Sequence, residues 1–411
     1  MTFTTATPLV FCLLASALLS PIAHADEDSS AGSFSSPRFK FDGFGSLGIA
    51  RSTNGEAEIL RSLTPPEGIT DHWSANSDSI LGLQASYRIS DEVETVAQAV
   101  SYLRDDGSFQ PNITWAFLKY DVTPRFSMRF GRIGTEFLML ADSRLVGYSY
   151  LPVRPAIEFY GIIPINYGDG IDARLRWPVG DGMLRLEGFA GIAAEDTARY
   201  SFSGTKVVKG TIGYDLGDWQ FRYVNAWIKL KNDMDALDPL RDTLTLLGAG
   251  AAADELGFKD TTSIYQSIGA AYDDGTWQVQ GAINYVRHEA TMRENSRALQ
   301  FLVGRRIGSF TPFVAYSQTK SSHKNLETGL SPFNPYAPAL NAGVAQAILI
   351  SHVDRKTLSL GTRWDVRRNV DLKAQVDFVR AGEGSNLLLL NAPPDSDYKA
   401  TVFSLSLDFV F

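Results

Sequence analysis

From residue 38 onward the chain keeps switching between apolar and polar side chains, one residue at a time. Segment 370–380 carries Val370, Leu372, Ala374, Val376 and Phe378 on one parity and Asp371, Lys373, Gln375 and Asp377 on the other. Segment 356–366 sets Leu358, Leu360, Thr362, Trp364 and Val366 against Ser359, Gly361, Arg363 and Asp365. A period of two places such sets on opposite faces of an extended strand, one for an apolar medium and one for water. The same reading predicts strands at 38–51, 77–89, 92–104, 112–121, 126–133, 168–177, 183–193, 205–214, 219–231, 260–272, 277–288, 296–306, 310–320, 356–366, 370–380 and 400–411. That is sixteen strands, and an all-β transmembrane antiparallel β-barrel of about that number is the fold class they imply.

The connections repeat the pattern independently. Tight turns rich in Gly, Asp and Pro fall at 90–91, 122–125, 178–182, 215–218, 273–276, 307–309 and 367–369. Long polar connections alternate with them at 52–76, 105–111, 134–167, 194–204, 232–259, 289–295, 321–355 and 381–399. In outer-membrane barrels the short side is periplasmic, and an even strand count then puts both termini in the periplasm. Trp177, Tyr214, Trp219, Tyr272, Trp277, Trp364 and the terminal Phe411 lie close to the short side. Amphipathic rings favour the headgroup level of a bilayer, so these predict an aromatic girdle.

The front of the chain reads as an export signal. Pro8 to Ser20 is an apolar run too short to span a bilayer, and Ala23-His24-Ala25 has the small-x-small form of a cleavage site, so 1–25 is expected to be a signal peptide. Residues 26–37 are Ser-rich and acidic and are expected to be a disordered periplasmic lead-in, with the barrel domain at 38–411. Cys12 is the only cysteine, which leaves the mature chain with no disulfide framework and no thiolate metal site. No later stretch approaches the 18 consecutive apolar residues of a helical span. A formal net charge of -8 with no basic face excludes nucleic acid as a partner.

Charges on the lipid face of a barrel are costly near the midplane, so the charged parities must face the lumen. This assigns Arg88, Arg129, Asp172, Arg174, Arg176, Arg185, Glu187, Gln220 and Arg222 to the interior. Connection 134–167 adds Arg144 and Arg154 against Glu136, Asp142 and Glu158. Arg129, Arg174, Arg176, Arg185 and Arg222 on the wall, with these five loop residues, are the candidate pore and constriction residues. A transverse field with a surplus of Arg favours anions. Strand 112–121 is ambiguous, because Trp115 and Phe117 oppose Leu118 and Tyr120. One of its faces is expected to pack against a subunit or an inward-folded loop.

Two stretches carry a family likeness. The ending Phe403, Leu405, Leu407, Phe409, Phe411 resembles the terminal signature of Gram-negative outer-membrane barrels, which implies that Phe411 is read by the assembly machinery. The block Trp115 to Tyr120, Met128 to Arg132, Ala141 to Tyr150 and Val153-Arg154-Pro155 resembles the fourth strand, fifth strand and third loop of the Gram-negative porin superfamily. The resemblance implies a sixteen-stranded trimeric barrel in lipid and lipopolysaccharide, with its third loop folded inward. A first strand with Gly43, Gly45, Ser46 and Gly48 would allow barrels to approach closely.

A barrel of this size encloses more volume than side chains fill. The function expected is passive diffusion of small hydrophilic solutes with a weak anion preference. The near alternative is a substrate-specific channel for small carboxylates. A barrel hydrolase would need a Ser/His nucleophile pair, whereas His72, His288, His323 and His352 lie in or beside long connections with no nucleophile motif nearby. No enzyme activity, cofactor or metal is expected. An energy-coupled receptor would need a plug domain, for which 26–37 is too short.

Overall fold

The computed structural model describes residues 38–411 apart from 136, 138, 140–142 and 394–395. The expected signal peptide 1–25 and lead-in 26–37, together with Glu136 and Asp142, lie outside the described residues.

Sixteen strands close into one antiparallel barrel, each paired with its neighbours in sequence. They are β1 (Phe39–Ser52), β2 (Ile80–Arg88), β3 (Val93–Ser101), β4 (Asn112–Thr123), β5 (Phe126–Gly134), β6 (Tyr167–Val179), β7 (Gly182–Ala193) and β8 (Lys206–Leu216). The second half is β9 (Trp219–Lys229), β10 (Thr262–Asp273), β11 (Trp277–His288), β12 (Ser296–Arg305), β13 (Phe310–Ser321), β14 (Asp354–Arg367), β15 (Val370–Ala381) and β16 (Tyr398–Val410). Every strand read from the alternation is present, with ends displaced by a few residues. Closure satisfies the edge groups that a bilayer could not. β1 pairs with β16 in the register Phe44↔Val410 to Ser52↔Val402. Gly43 and Phe411 then exchange both backbone hydrogen bonds, each 2.9 Å.

The two faces separate as the alternation requires. Along β15 Leu372 and Phe378 are exposed on the outer wall, while Asp371, Lys373, Gln375 and Asp377 are buried inside. The girdle rings lie on the outer face beside the short turns, with Trp219 stacked on Phe221 at 5.8 Å and Phe310 on Trp364 at 5.6 Å.

Two of the small residues of β1 make room for rings of the closing strand. A methyl group at Gly43 would collide with the Phe411 ring and one at Gly45 with the Phe409 ring, so these glycines seat the aromatic end of the closing strand. Ser46 and Gly48 belong to the opposite, buried parity. Both faces of 112–121 are apolar because the inward one, with Trp115 and Phe117, packs against the cluster that holds the loop residues Phe137, Phe159 and Ile162, and the strand also carries an irregularity. Gln98 pairs with Trp115 but Ala99 with Ile113, a bulge that inserts Thr114. Beyond it Trp115 and Phe117 point inward against the core, and Ile113, Leu118 and Tyr120 face out.

Among the described residues the connections on the long side hold the helices α1 (Ile157–Tyr160), α2 (Asp238–Leu246), α3 (Gly250–Glu255) and α4 (Ala337–Leu349). They contribute to an apolar cluster in which Ile59, Phe159, Leu230, Leu244, Leu256, Val344 and Leu388 are almost wholly buried. That end is therefore a packed cap of loops over the wall.

Candidate functional site: a loop held across the barrel

Connection 135–166 leaves β5 and returns at β6. Its base is closed by the Thr135 amide donating to Asn166 O at 3.0 Å and the Thr135 hydroxyl donating to Ile165 O at 2.8 Å. Glu195, from the next long connection, accepts from the Asn166 backbone N–H at 2.8 Å, from its side-chain amide and from the Tyr102 hydroxyl. Burial pushes the Glu195 carboxyl up to about 7, against the pull of these donors and of Arg144.

The loop reaches the far wall and is fixed there by ions. Arg154 donates to Asp78 at 3.0 and 2.6 Å, to Asp377 at 2.8 Å and to the Ser404 hydroxyl at 2.6 Å, with its side chain 2% exposed. Burial opposes its charge, but Asp78 and Asp377 outweigh burial and hold the guanidinium ionised. Glu158, in α1, meets Arg355 of β14 at 2.8 Å and accepts from the hydroxyls of Ser317 and Thr357. Lys373 donates to the carbonyls of Gly147 and Pro152 at 2.6 and 3.2 Å, and Arg363 to that of Tyr148 at 2.6 Å. Both cations also lie over loop rings, Lys373 on Tyr150 and Arg363 on Tyr148. Apolar contacts hold the other flank, where Phe137 meets Tyr265 edge-on at 5.8 Å.

The candidate residues fall into two groups. Arg154 and Glu158 are locked to the far wall, and Arg144 is turned into the loop itself, donating to Tyr160 O at 3.2 Å. Arg129, Arg174, Arg185 and Arg222 lie elsewhere, on β5, β6, β7 and β9, and face carboxylates of the wall itself. Arg129 grips Asp172 through its Nε at 3.0 and 2.9 Å, Arg185 reaches Asp215 at 2.6 Å, and Arg222 lies 3.8 Å from Glu187. Arg174 is 3.7 Å from Asp172, and Arg176 is exposed near the short turns.

Beside the loop is a lumen cavity of about 420 Å³ whose lining includes Arg154, Glu158, Tyr160, Gln220, Gln280, Gln300, Gln375 and Asp377. Its amides and hydroxyls can donate and accept, which suits a hydrated polar solute. The five wall arginines do not line it.

Arg355, Arg363, Lys373, Asp78 and Asp377 are the residues that the sequence reading did not rank as functional. Four were within reach of alternation, since Arg363, Lys373 and Asp377 lie on inward parities and Arg355 falls one residue before the expected strand. Asp78 carries no local signal that it would meet Arg154.

Two Ser/His contacts bear on chemistry. Ser321 Oγ lies 3.1 Å from His352 Nδ1, and Glu294 lies 2.7 Å from that same nitrogen. Ser263 likewise meets Nδ1 of His288, at 2.7 Å. A nucleophile relay needs the hydroxyl and the carboxylate on opposite ring nitrogens, so the Ser321 contact does not form one.

No protein-family model and no curated protein matches the sequence. Solved structures do. The anion-selective porin from Comamonas acidovorans aligns with a TM-score of 0.55 and 12% identity, covering 91% of this chain and 99% of that one. OmpT, an outer-membrane protein of Vibrio cholerae, aligns at 0.53 and 11% over 92% and 99%. The outer-membrane channel DcaP of Acinetobacter baumannii aligns at 0.51 and 14% over 91% and 97%. What is shared at these identities is the architecture, and the chain has the porin fold.

Proposed function

We propose that this chain is an outer-membrane channel through which small hydrophilic solutes diffuse passively, with a mild preference for anions. The observation that carries the reading is a closed wall, apolar outside and charged inside, whose third loop crosses the lumen and leaves a polar cavity of about 420 Å³ beside it. An apolar band with aromatic rings at the short-turn end suits a bilayer, with those turns and both termini on the periplasmic side. At the long-loop end Lys356, Arg380 and Lys399 stand side by side on the outer face, in the register Lys356↔Arg380↔Lys399. Such a row suits the phosphates of lipopolysaccharide. The arginine strip on β5, β6, β7 and β9 supplies the anion bias. Phe411 serves the barrel-assembly machinery as the end of the closing strand.

A homotrimer is part of the proposal, supported by a structural neighbour from Vibrio cholerae described as a trimer form. Native mass measurement in mild detergent tests it, and a monomer rejects it. The second reading, a substrate-specific channel for small carboxylates, is favoured by the apolar loop cluster that fills the long-loop end. Planar-bilayer recording in a salt gradient decides between them. Discrete steps with an anion-selective reversal potential support diffusion, block by one class of carboxylate supports specificity, and absence of steps rejects a channel.

A further inference from the structure

Two connections on the long side bring a second kind of chemistry together. Glu294 lies between β11 and β12, and His323 and His352 lie near the two ends of the connection between β13 and β14. One donor atom from each lies within 4.8 Å of the others. The two imidazoles are nearly parallel, 4.5 Å apart at 14°. Glu294 Oε2 is satisfied by His352 Nδ1 at 2.7 Å and by the Ser321 hydroxyl.

The other oxygen is the anomaly. Glu294 Oε1 is buried with no hydrogen-bond donor among the described residues, on a side chain 0% exposed, and His323 Nδ1 stands 3.6 Å away. A buried carboxylate oxygen without a donor is costly. A simple ion pair between Glu294 and His352 accounts for Oε2 and leaves both Oε1 and the stacked, exposed His323 without a role. A cation bound between them accounts for both. Two imidazole nitrogens and one carboxylate oxygen are the donor set of a divalent zinc-type ion, with water as the fourth ligand. Ser321, bonded to Glu294 and accepting the Val353 amide at 2.9 Å, would hold the carboxylate in place.

We propose that Glu294, His323 and His352 bind a divalent transition-metal ion of the zinc class. The ion would join the two ends of the connection between β13 and β14 to the neighbouring loop, and so clamp the cap that carries α4.

The test uses the full mature chain, free of any histidine tag, folded in detergent and stripped with a chelator. Zinc is titrated by calorimetry, and cobalt is followed by its visible absorption. The expected result is one zinc per chain, with affinity falling at least about tenfold in His323→Ala and in Glu294→Gln. Cobalt should give the absorption of a four-coordinate site, lost in His352→Ala. His323→Ala is the deciding variant, because its side chain is 73% exposed and the change cannot disturb a packed core. His72→Ala, in a different connection, should bind as the wild type does. No zinc uptake by the wild type, or uptake unchanged in both His323→Ala and Glu294→Gln, overturns the proposal, as does loss of binding in His72→Ala.

Discussion

The two sides of the lumen use the same residue types for opposite ends. On β14, β15 and β16, Arg355, Lys373, Asp377 and Asp408 are buried at 5% exposure or less, each covered by or adjoining the third loop. On β6, β7 and β9, Arg174, Arg185 and Arg222 keep 17–39% of their side chains open and face the wall carboxylates Asp172, Asp215 and Glu187. The difference is what covers them. Under a loop, an inward charge loses its water and must find a partner of fixed geometry, and it becomes part of a clamp. Facing open lumen, a charge keeps its hydration and its field acts on whatever passes. Inward charge in a barrel strand is therefore not by itself a selectivity residue.

Arg154 is where the covered side depends most on a single residue. Removing one partner of a buried pair strands the others, so Arg154→Ala should cost about 3–5 kcal/mol, read from urea unfolding in detergent. Loop 3 should also loosen, with larger and noisier conductance steps. Unchanged steps and stability would show that the clamp is redundant.

On the open side the expected effect is on selectivity. Arg174→Ala with Arg176→Ala should move the reversal potential in a KCl gradient toward cations while urea stability stays within about 1 kcal/mol, as for exposed pairs. A large stability loss there, or no shift in potential, would erase the distinction between the walls.

A smaller effect follows from Glu195, which anchors the returning end of the loop. Its carboxyl lies at about 7 in the folded chain against an ordinary 4.5. Between those values the folded chain holds a proton that the unfolded chain has released, so its contribution favours folding at acid pH and is lost as pH rises through the window. Urea midpoints at pH 5 and pH 7.5 should differ accordingly, and Glu195→Gln should flatten that part of the difference. The smallest change tests the seam between the two sides. Gly43→Ala places a methyl group against the Phe411 ring and should slow barrel assembly, measured by heat-modifiable mobility, while leaving selectivity as it was.

Much of the wall is legible in the chain because alternation is local. Each strand declares its own two faces, and a bilayer outside with water inside enforces them, so the sixteen strands and the inward set on β14 and β15 follow from residue order alone. Strand 112–121 resisted because its inward residues Trp115 and Phe117 face an apolar loop cluster instead of water, which leaves both faces apolar. Nothing near Gly43 and Gly45 in sequence announces the Phe411 and Phe409 rings that cover them.

The loop's partners belong to tertiary structure. Arg154 meets Asp78 76 residues away and Asp377 223 residues away, and Glu158 meets Thr357 199 residues away. No periodicity encodes such pairings. They exist because closing the barrel brings β14, β15 and β16 around to face the loop that leaves β5. By itself the sequence determined which side chains point inward, since that depends on adjacent residues. Only the folded barrel decided which of them a loop would cover, since that depends on what lies across the lumen.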